Sequence, residues 1–225
     1  MSFPAMIFAA GFGTRMRPIT HDTPKPLVKV AGKPLIDYGL DRLAEAGISH
    51  IVANAHHLSD QIKNHLVPKG ITINLEHPKI LETGGGLKAA LPKLGATTVL
   101  TLNSDVIWIG PNPIALLIDD WRPSKMDALL MCIPFVQARG HTGRGDFSIN
   151  PDGSALRNGT HIYTGVQIIK TQEVSKNPLE IFSINQTWDA IAKSGSLFAR
   201  DYPGIWCDVG HPEGIEIAEQ ILALQ

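Results

Sequence analysis

Glycines followed by basic side chains make one stretch of this sequence well suited to chemistry. Phe8-Ala9-Ala10-Gly11-Phe12-Gly13-Thr14-Arg15-Met16-Arg17-Pro18 runs on to Thr23-Pro24-Lys25-Pro26-Leu27. Two glycines permit a tight turn whose bare N–H groups can approach an anion closely. Arg15, Arg17, Lys25 and Lys29 stand against one acid, Asp22, in a chain whose formal charge is only −1. Backbone donors and fixed positive charge together are what a polyphosphate requires. Two common phosphate loops do not fit. Met16 stands where the dinucleotide fingerprint needs its third glycine, and the Gly-Lys-Ser/Thr of the P-loop is absent. Taken alone, the stretch is a phosphate site of another kind or an ordinary basic turn.

An acid beside bound phosphates would hold Mg²⁺, which takes one or two protein carboxylates and completes its octahedron with water and phosphate. Asp105, in Asn103-Ser104-Asp105, is the first candidate, and Asp208, in Ile205-Trp206-Cys207-Asp208-Val209-Gly210, is its candidate partner. Either one alone could equally close a turn. Glu82-Thr83-Gly84-Gly85-Gly86 places glycines ahead of an expected helix, where their N–H groups would suit a base edge or a phosphate. The nine histidines show no metal spacing, and the adjacent His56 and His57 read as surface or loop residues. No serine sits in a nucleophile elbow.

These residues need elements to hold them. An apolar run at 6–10 reads as the first strand, and the spacing of Ile36, Leu40, Leu43 and Ala44 predicts a helix stopped by Gly47. Further strands are expected at 48–53, 71–75, 97–102 and 128–134, with helices at 59–66 and 114–121 and a short one at 87–91 cut off near Pro92. Residues 136–146 should be loop. Asn150-Pro151-Asp152-Gly153 is a turn signal, so 147–150 and 155–157 should form a hairpin. A strand at 161–169 contains Gly165, a place where another group can approach the backbone. A helix at 187–193, strands at 197–200 and 204–208, and a last helix from Pro212 complete the chain. Alternating strands and helices predict an α/β fold of one domain, a Rossmann-like, mostly parallel mixed sheet with helices on both faces. Ligands bind such sheets at the carboxyl ends of the strands. The Gly11 loop and Asp105 both follow strand ends, so they should share one edge.

Composition narrows the class. The chain has 225 residues, 44% of them hydrophobic and 18% charged, which suits a globular chain with a substantial core and excludes disorder. A near-neutral balance argues against a nucleic-acid binder. Cys132 and Cys207 lie far apart and form no metal or redox pair, which fits a reducing cytoplasm. The first residues carry a strand signal rather than a signal peptide, and no apolar run has membrane-spanning length.

At this point the motifs resemble the signature of the sugar-1-phosphate nucleotidyltransferases. The glycine loop, Thr23-Pro24-Lys25-Pro26-Leu27, Glu82 to Gly86, Asn103-Ser104-Asp105, Gly143-Arg144-Gly145-Asp146-Phe147 and Trp206-Cys207-Asp208-Val209-Gly210 fall in that family's order. Within it, the chain looks most like the short bacterial N-acetylmuramate-1-phosphate uridylyltransferases of cell-wall recycling. Such a resemblance implies the nucleotide-diphospho-sugar transferase fold over residues 1–225, without the C-terminal left-handed β-helix of longer relatives. It implies in-line attack of a sugar-1-phosphate oxygen on the α-phosphorus of a nucleoside triphosphate, with pyrophosphate leaving. Ala10, Gly11, Phe12, Gly13, Thr14 and Arg15 would then hold the triphosphate, with Arg15 on the leaving pyrophosphate and Lys25 at the phosphorus under attack. Leu81, Glu82, Gly84 and Gly85 would meet the base. Asn103, Gly145, Asp146, Thr164 and Gly165 would meet the sugar phosphate, and Asp105 and Asp208 would hold Mg²⁺. UTP and N-acetylmuramate 1-phosphate are the substrates implied first, GTP and mannose 1-phosphate second, and a non-catalytic nucleotide-sugar sensor is a third possibility. No nucleic acid or membrane partner is expected, and the state should be a monomer or weak homo-oligomer in the cytoplasm. Ser104, where the family usually has glycine, Thr164 within Tyr163-Thr164-Gly165-Val166, and His211, where threonine is commoner, depart from the pattern.

Overall fold

The computed structural model describes residues 3–224. In chain order it contains β1 (Ala5–Phe8), β2 (Lys29–Val30), β3 (Lys33–Pro34), α1 (Leu35–Glu45), β4 (Ile51–Ala55), α2 (Ser59–Leu66) and β5 (Thr72–Leu75). The middle of the chain forms α3 (Glu82–Leu94), β6 (Thr98–Asn103), β7 (Val106–Ile109), α4 (Pro113–Asp120), β8 (Ala128–Pro134), β9 (Phe147–Ile149) and β10 (Ala155–Arg157). It ends with β11 (His161–Lys170), α5 (Gln172–Lys176), α6 (Ile184–Lys193), β12 (Leu197–Asp201), β13 (Ile205–Asp208) and α7 (Pro212–Leu222).

Strand pairing makes a nine-stranded mixed sheet with the order β10-β9-β11-β6-β1-β4-β5, and β8 bridges β11 and β12. Strands β6, β1, β4 and β5 run parallel, as do β8 and β12, while β11 lies antiparallel to β6 and β8. The chain leaves β1 toward β4 on one side and returns to β6 on the other. Strand order therefore reverses beside β1, which opens a crevice at its carboxyl end. The loop after β1 and the residues after β6 border that crevice, as the sequence predicts.

Side-chain alternation along the strands feeds both faces. Ala5 and Ile7 of β1 join Ile36 and Leu43 of α1, Ile62 and Leu66 of α2 and Leu117 of α4 in one cluster. Met6 of the same strand faces the other way, toward Leu87 and Ala90 of α3 and Trp188 and Ile191 of α6. A third cluster gathers Met16, Leu35, Ile107, Val209 and Ala218, and fastens α7 and the first loop to the sheet edge.

Several boundaries differ from expectation. β4 begins at Ile51 rather than at 48. β7 and α5 are not evident in the pattern. The main correction concerns α3, which neither follows the glycines nor stops at Pro92. Gly84, Gly85 and Gly86 lie inside it, and it runs two residues past Pro92 to a left-handed Gly95 whose N–H closes on Leu91 at 2.9 Å. Tertiary packing overrides glycine's poor helix propensity here. A Cβ on Gly86 would stand 2.6 Å from a Glu76 carboxylate oxygen, so this helix can approach the sheet only without side chains.

Candidate active site

The loop after β1 is shaped for close approach. Ala10 and Gly11 line a cavity of about 210 Å³, and no atom lies within 4 Å of where a Gly11 side chain would begin. Gly13 takes φ of 62°, which costs glycine nothing, and its bare face passes Lys25 Cβ at 3.1 Å from the missing Cβ position. The Thr20 hydroxyl donates to the Gly13 carbonyl at 2.8 Å. Thr14–Met16 form one 3₁₀ turn anchored by the fully buried Met16, which leaves Arg15 exposed on the loop surface. Its Nη1–H donates to His211 Nε2 at 3.2 Å. Phe12 is exposed and stands edge-on to His56 at 5.4 Å, so His56 and His57 support this loop from the turn after β4.

Charge concentrates beside the loop. Lys25 Nζ donates to Asp105 Oδ2 at 2.5 Å, and both side chains are mostly buried. Asp105 meets Asp208 through backbone pairing: β13 lies antiparallel to β7 with Asp208 opposite Val106, and the Val209 N–H donates to the Asp105 carbonyl at 2.9 Å. Burial pushes the Asp105 carboxyl up, but the Lys25 ammonium, with the Arg15 guanidinium behind it, outweighs that and holds it below the usual carboxylate range. Asp208 goes the other way. Burial first, and the negative charge of Asp105 second, push its carboxyl up, and His141 Nδ1 at 3.1 Å offsets only part of this. Two buried carboxylates that repel one another are suited to share a cation. Among the described residues, no cluster of three or more His, Cys, Asp or Glu side chains forms a complete protein cage. An ion held by Asp105 and Asp208 would therefore draw its other ligands from water and phosphate, which is the habit of Mg²⁺.

A buried polar relay lies behind the cavity, on residues that the sequence reading passed over. The Ala9 N–H donates to Asn54 Oδ1 at 2.7 Å, Asn54 Nδ2 donates to Glu76 Oε1 at 2.7 Å, and Glu76 Oε2 accepts the Leu81 N–H at 2.7 Å. Asn54 is 3% exposed and Glu76 2%. The available signal was Asn54 within the apolar run of β4 and Glu76 directly after β5. The relay ties the start of the loop after β1 to the start of α3. Next to it, the amides of Gly84 and Gly85 donate to the Phe182 carbonyl at 2.9 and 3.0 Å. The Leu81, Gly84 and Gly85 amides, expected to meet the base, thus each have an acceptor within the chain. Glu82 and Thr83 are the α3 residues that line the cavity.

The residues expected around the sugar separate. Asn103 lines the cavity, and Gly165, at φ of 92° in a bulge of β11, comes close against its side chain. Thr164 is fully buried and its hydroxyl donates to the Met131 carbonyl at 2.9 Å, so that side chain serves the sheet. Asp146 accepts the Tyr163 N–H at 3.0 Å, and Gly145 lines a second cleft. Ser104 lines the cavity as well, and its hydroxyl donates to the Phe8 carbonyl at 2.6 Å, which ties the residue after β6 to the end of β1.

A family model for the MobA-like NTP transferase domain matches residues 5–180, a span that stops short of Asp208. The N-acetylmuramate alpha-1-phosphate uridylyltransferase of Caulobacter vibrioides is 39% identical over 97% of this chain and 96% of its own. The protein of the same name from Neisseria meningitidis is 35% identical over 92% of each chain. Among solved structures, a UDP-glucose pyrophosphorylase from Acinetobacter baumannii superposes with a TM-score of 0.81 at 19% identity, covering 100% of this chain and 94% of that one. At that identity the likeness shows a shared fold.

Proposed function

The chain belongs to the family of MobA-like NTP transferase domains, and we propose that it joins a nucleoside triphosphate to a sugar 1-phosphate, releasing pyrophosphate. The observation that carries this is the meeting of Lys25, Asp105 and Asp208 beside the open glycine loop that bears Arg15. UTP and N-acetylmuramate 1-phosphate are the substrates we assign, supported by the identity of 39% and 35% to the two uridylyltransferases. We treat residues 1–225 as one cytoplasmic catalytic unit, acting as a monomer or weak homo-oligomer. Among the described residues no helix is long and apolar enough to cross a membrane.

A phosphate oxygen of the sugar 1-phosphate attacks the α-phosphorus, a new P–O bond forms, and the bond to pyrophosphate breaks with its electrons on the leaving group. The loop from Ala10 to Thr14 cradles the triphosphate with backbone N–H groups, and Arg15 neutralises the departing pyrophosphate. Lys25 has three N–H donors. One serves Asp105, and the others can reach oxygens at the phosphorus under attack. Asp105 and Asp208 would hold Mg²⁺, which when bound neutralises phosphate charge. His211 positions Arg15, and the Asn54–Glu76 relay positions the loop. No covalent intermediate is needed, because positioning and preorganised charge supply the barrier lowering.

A panel of four nucleoside triphosphates against several sugar 1-phosphates, scored by pyrophosphate release, tests this directly. The expected best pair is UTP with N-acetylmuramate 1-phosphate, dependent on Mg²⁺. Lys25→Ala should lower kcat by about 10²–10³-fold, the typical loss for one preorganised charge. Strong turnover of GTP with mannose 1-phosphate and none with UTP would overturn the substrates. Full turnover in Lys25→Ala would overturn the mechanism, and nucleotide-sugar binding without turnover of any pair would indicate a sensor.

A further inference from the structure

The cavity beside Lys25 does not account for a second cleft of about 380 Å³, lined among others by Phe135, Val136, Gly143, Arg144, Gly145 and Thr160. This cleft lies one ring away from Asp208. His141 Nδ1 stands 3.1 Å from Asp208 Oδ2, and the His141 ring meets the Phe135 ring edge-on at 6.5 Å between centroids. Its wall is well supported, since the Phe135 N–H donates to the Thr160 carbonyl at 2.9 Å. Gly145 packs so closely on Thr160 that a Cβ there would lie 2.7 Å from Thr160 Cα.

Two features of this cleft point to an occupant with both an apolar and an anionic part. Phe135 and Val136 are exposed, with Val136 at 81%. Arg144 is exposed between them and the glycines. Arg144, like Arg15, Arg17, Arg122 and Arg139, forms no ion pair among the described residues, so no carboxylate of the chain occupies its guanidinium. A third observation concerns His141. With Nδ1 directed at Asp208, its Nε2 is buried without a partner and faces Gly143, 2.6 Å from the position a Cβ there would take.

We propose that this cleft receives the lactyl side group of the sugar, with Arg144 as counter-ion to its carboxylate and Phe135 and Val136 against its methyl. The assignment rests on the substrate reading above, and makes Arg144 the residue that selects an acidic sugar. N-acetylmuramate differs from N-acetylglucosamine only by that ether-linked lactate, so the two sugars isolate the contact.

The test compares wild type with Arg144→Ala and Arg144→Lys on both sugar 1-phosphates. Arg144→Ala should lower kcat/KM for N-acetylmuramate 1-phosphate by about 10- to 100-fold, mostly through KM, the range expected for a lost charge-assisted hydrogen bond. For N-acetylglucosamine 1-phosphate the same variant should change kcat/KM by less than about twofold. Lysine should recover part of the loss, since it keeps the charge without the planar fork. Calorimetric binding of UDP-N-acetylmuramate and UDP-N-acetylglucosamine should repeat the contrast independently of turnover. Equal losses on both sugars, or none on either, would overturn the role of Arg144 alone. A wild-type enzyme that turns over other sugar 1-phosphates but not N-acetylmuramate 1-phosphate would overturn the substrate reading, and this assignment with it.

Discussion

Asp208, proposed above to hold the metal ion, works against its own fold. Burial and the nearby Asp105 charge raise its carboxyl, so the neutral form is the one the folded state favours. Its contribution to stability is therefore favourable at low pH and is lost as pH rises through the raised value. Asp208→Asn should then melt at a higher temperature than wild type in metal-free buffer near neutrality. The gap should close as pH falls below about 4, where the carboxyl is protonated in both states. Activity should fall by at least about 10²-fold in the same variant. A variant less stable than wild type at neutral pH would show that the carboxylate is satisfied in the fold. Sequence alone offered Asp208 as a candidate partner for Asp105, but not His141, because nothing in the spacing brings residue 141 to residue 208. Ser104 shows the reverse case: its type was visible, and only the structure gives its direction, toward Phe8.

At the scale of elements, α3 is the informative case. Its amphipathic register was legible from Leu87 onward, while its first turn was not, since three consecutive glycines normally terminate a helix. What rescues the turn is a fixed set of neighbours: the Phe182 carbonyl accepts the Gly84 and Gly85 amides, and Glu76 sits where a Gly86 side chain would be. Glu76→Gln should expose the importance of this link. The amide would turn an N–H group toward either the Asn54 amide or the Leu81 N–H, leaving a buried donor unmatched at a cost of about 1–3 kcal/mol. Thermal unfolding should show that loss, and KM for the nucleoside triphosphate should rise by roughly tenfold as the loop at Ala9 loses its support. Gly86→Ala should cause a similar loss by steric means. An unchanged KM in both would mean that the relay serves stability only.

For the whole molecule, stability and chemistry occupy opposite ends of the sheet. Away from the site, Asp127 joins β8, β11 and β12 by accepting hydrogen bonds from Lys170 and Ser196 at 2.8 and 2.7 Å. Burial pushes its carboxyl up, but the bonds to Lys170 and Ser196 outweigh that and leave it lowered. A lowered carboxyl stabilises the fold above the unfolded value and loses this as pH falls through the folded one. Asp127→Asn should therefore cost below about 1 kcal/mol at neutral pH, because the pair is about one-third exposed, and nothing at strongly acid pH. Its kcat/KM should stay within about twofold of wild type, measured by pyrophosphate release. A large activity loss would mean that the two ends of the sheet are coupled.

Residue types and their order determined the α/β class, the parallel start of the sheet, the glycine loop and the two acids, since each depends on local periodicity or on a group's own chemistry. Only the tertiary structure decided what those groups face. Asp105 and Asp208 become neighbours through the pairing of β7 with β13 across about a hundred residues of chain. The relay through Asn54 and Glu76 and the cleft at Arg144 likewise join segments distant in sequence. Such contacts follow from how strands stack and helices close over them, and no spacing within one segment encodes them. The glycine loop could be read as a candidate place for phosphate because its chemistry is local. Which acids, amides and arginines surround it is a property of the folded sheet.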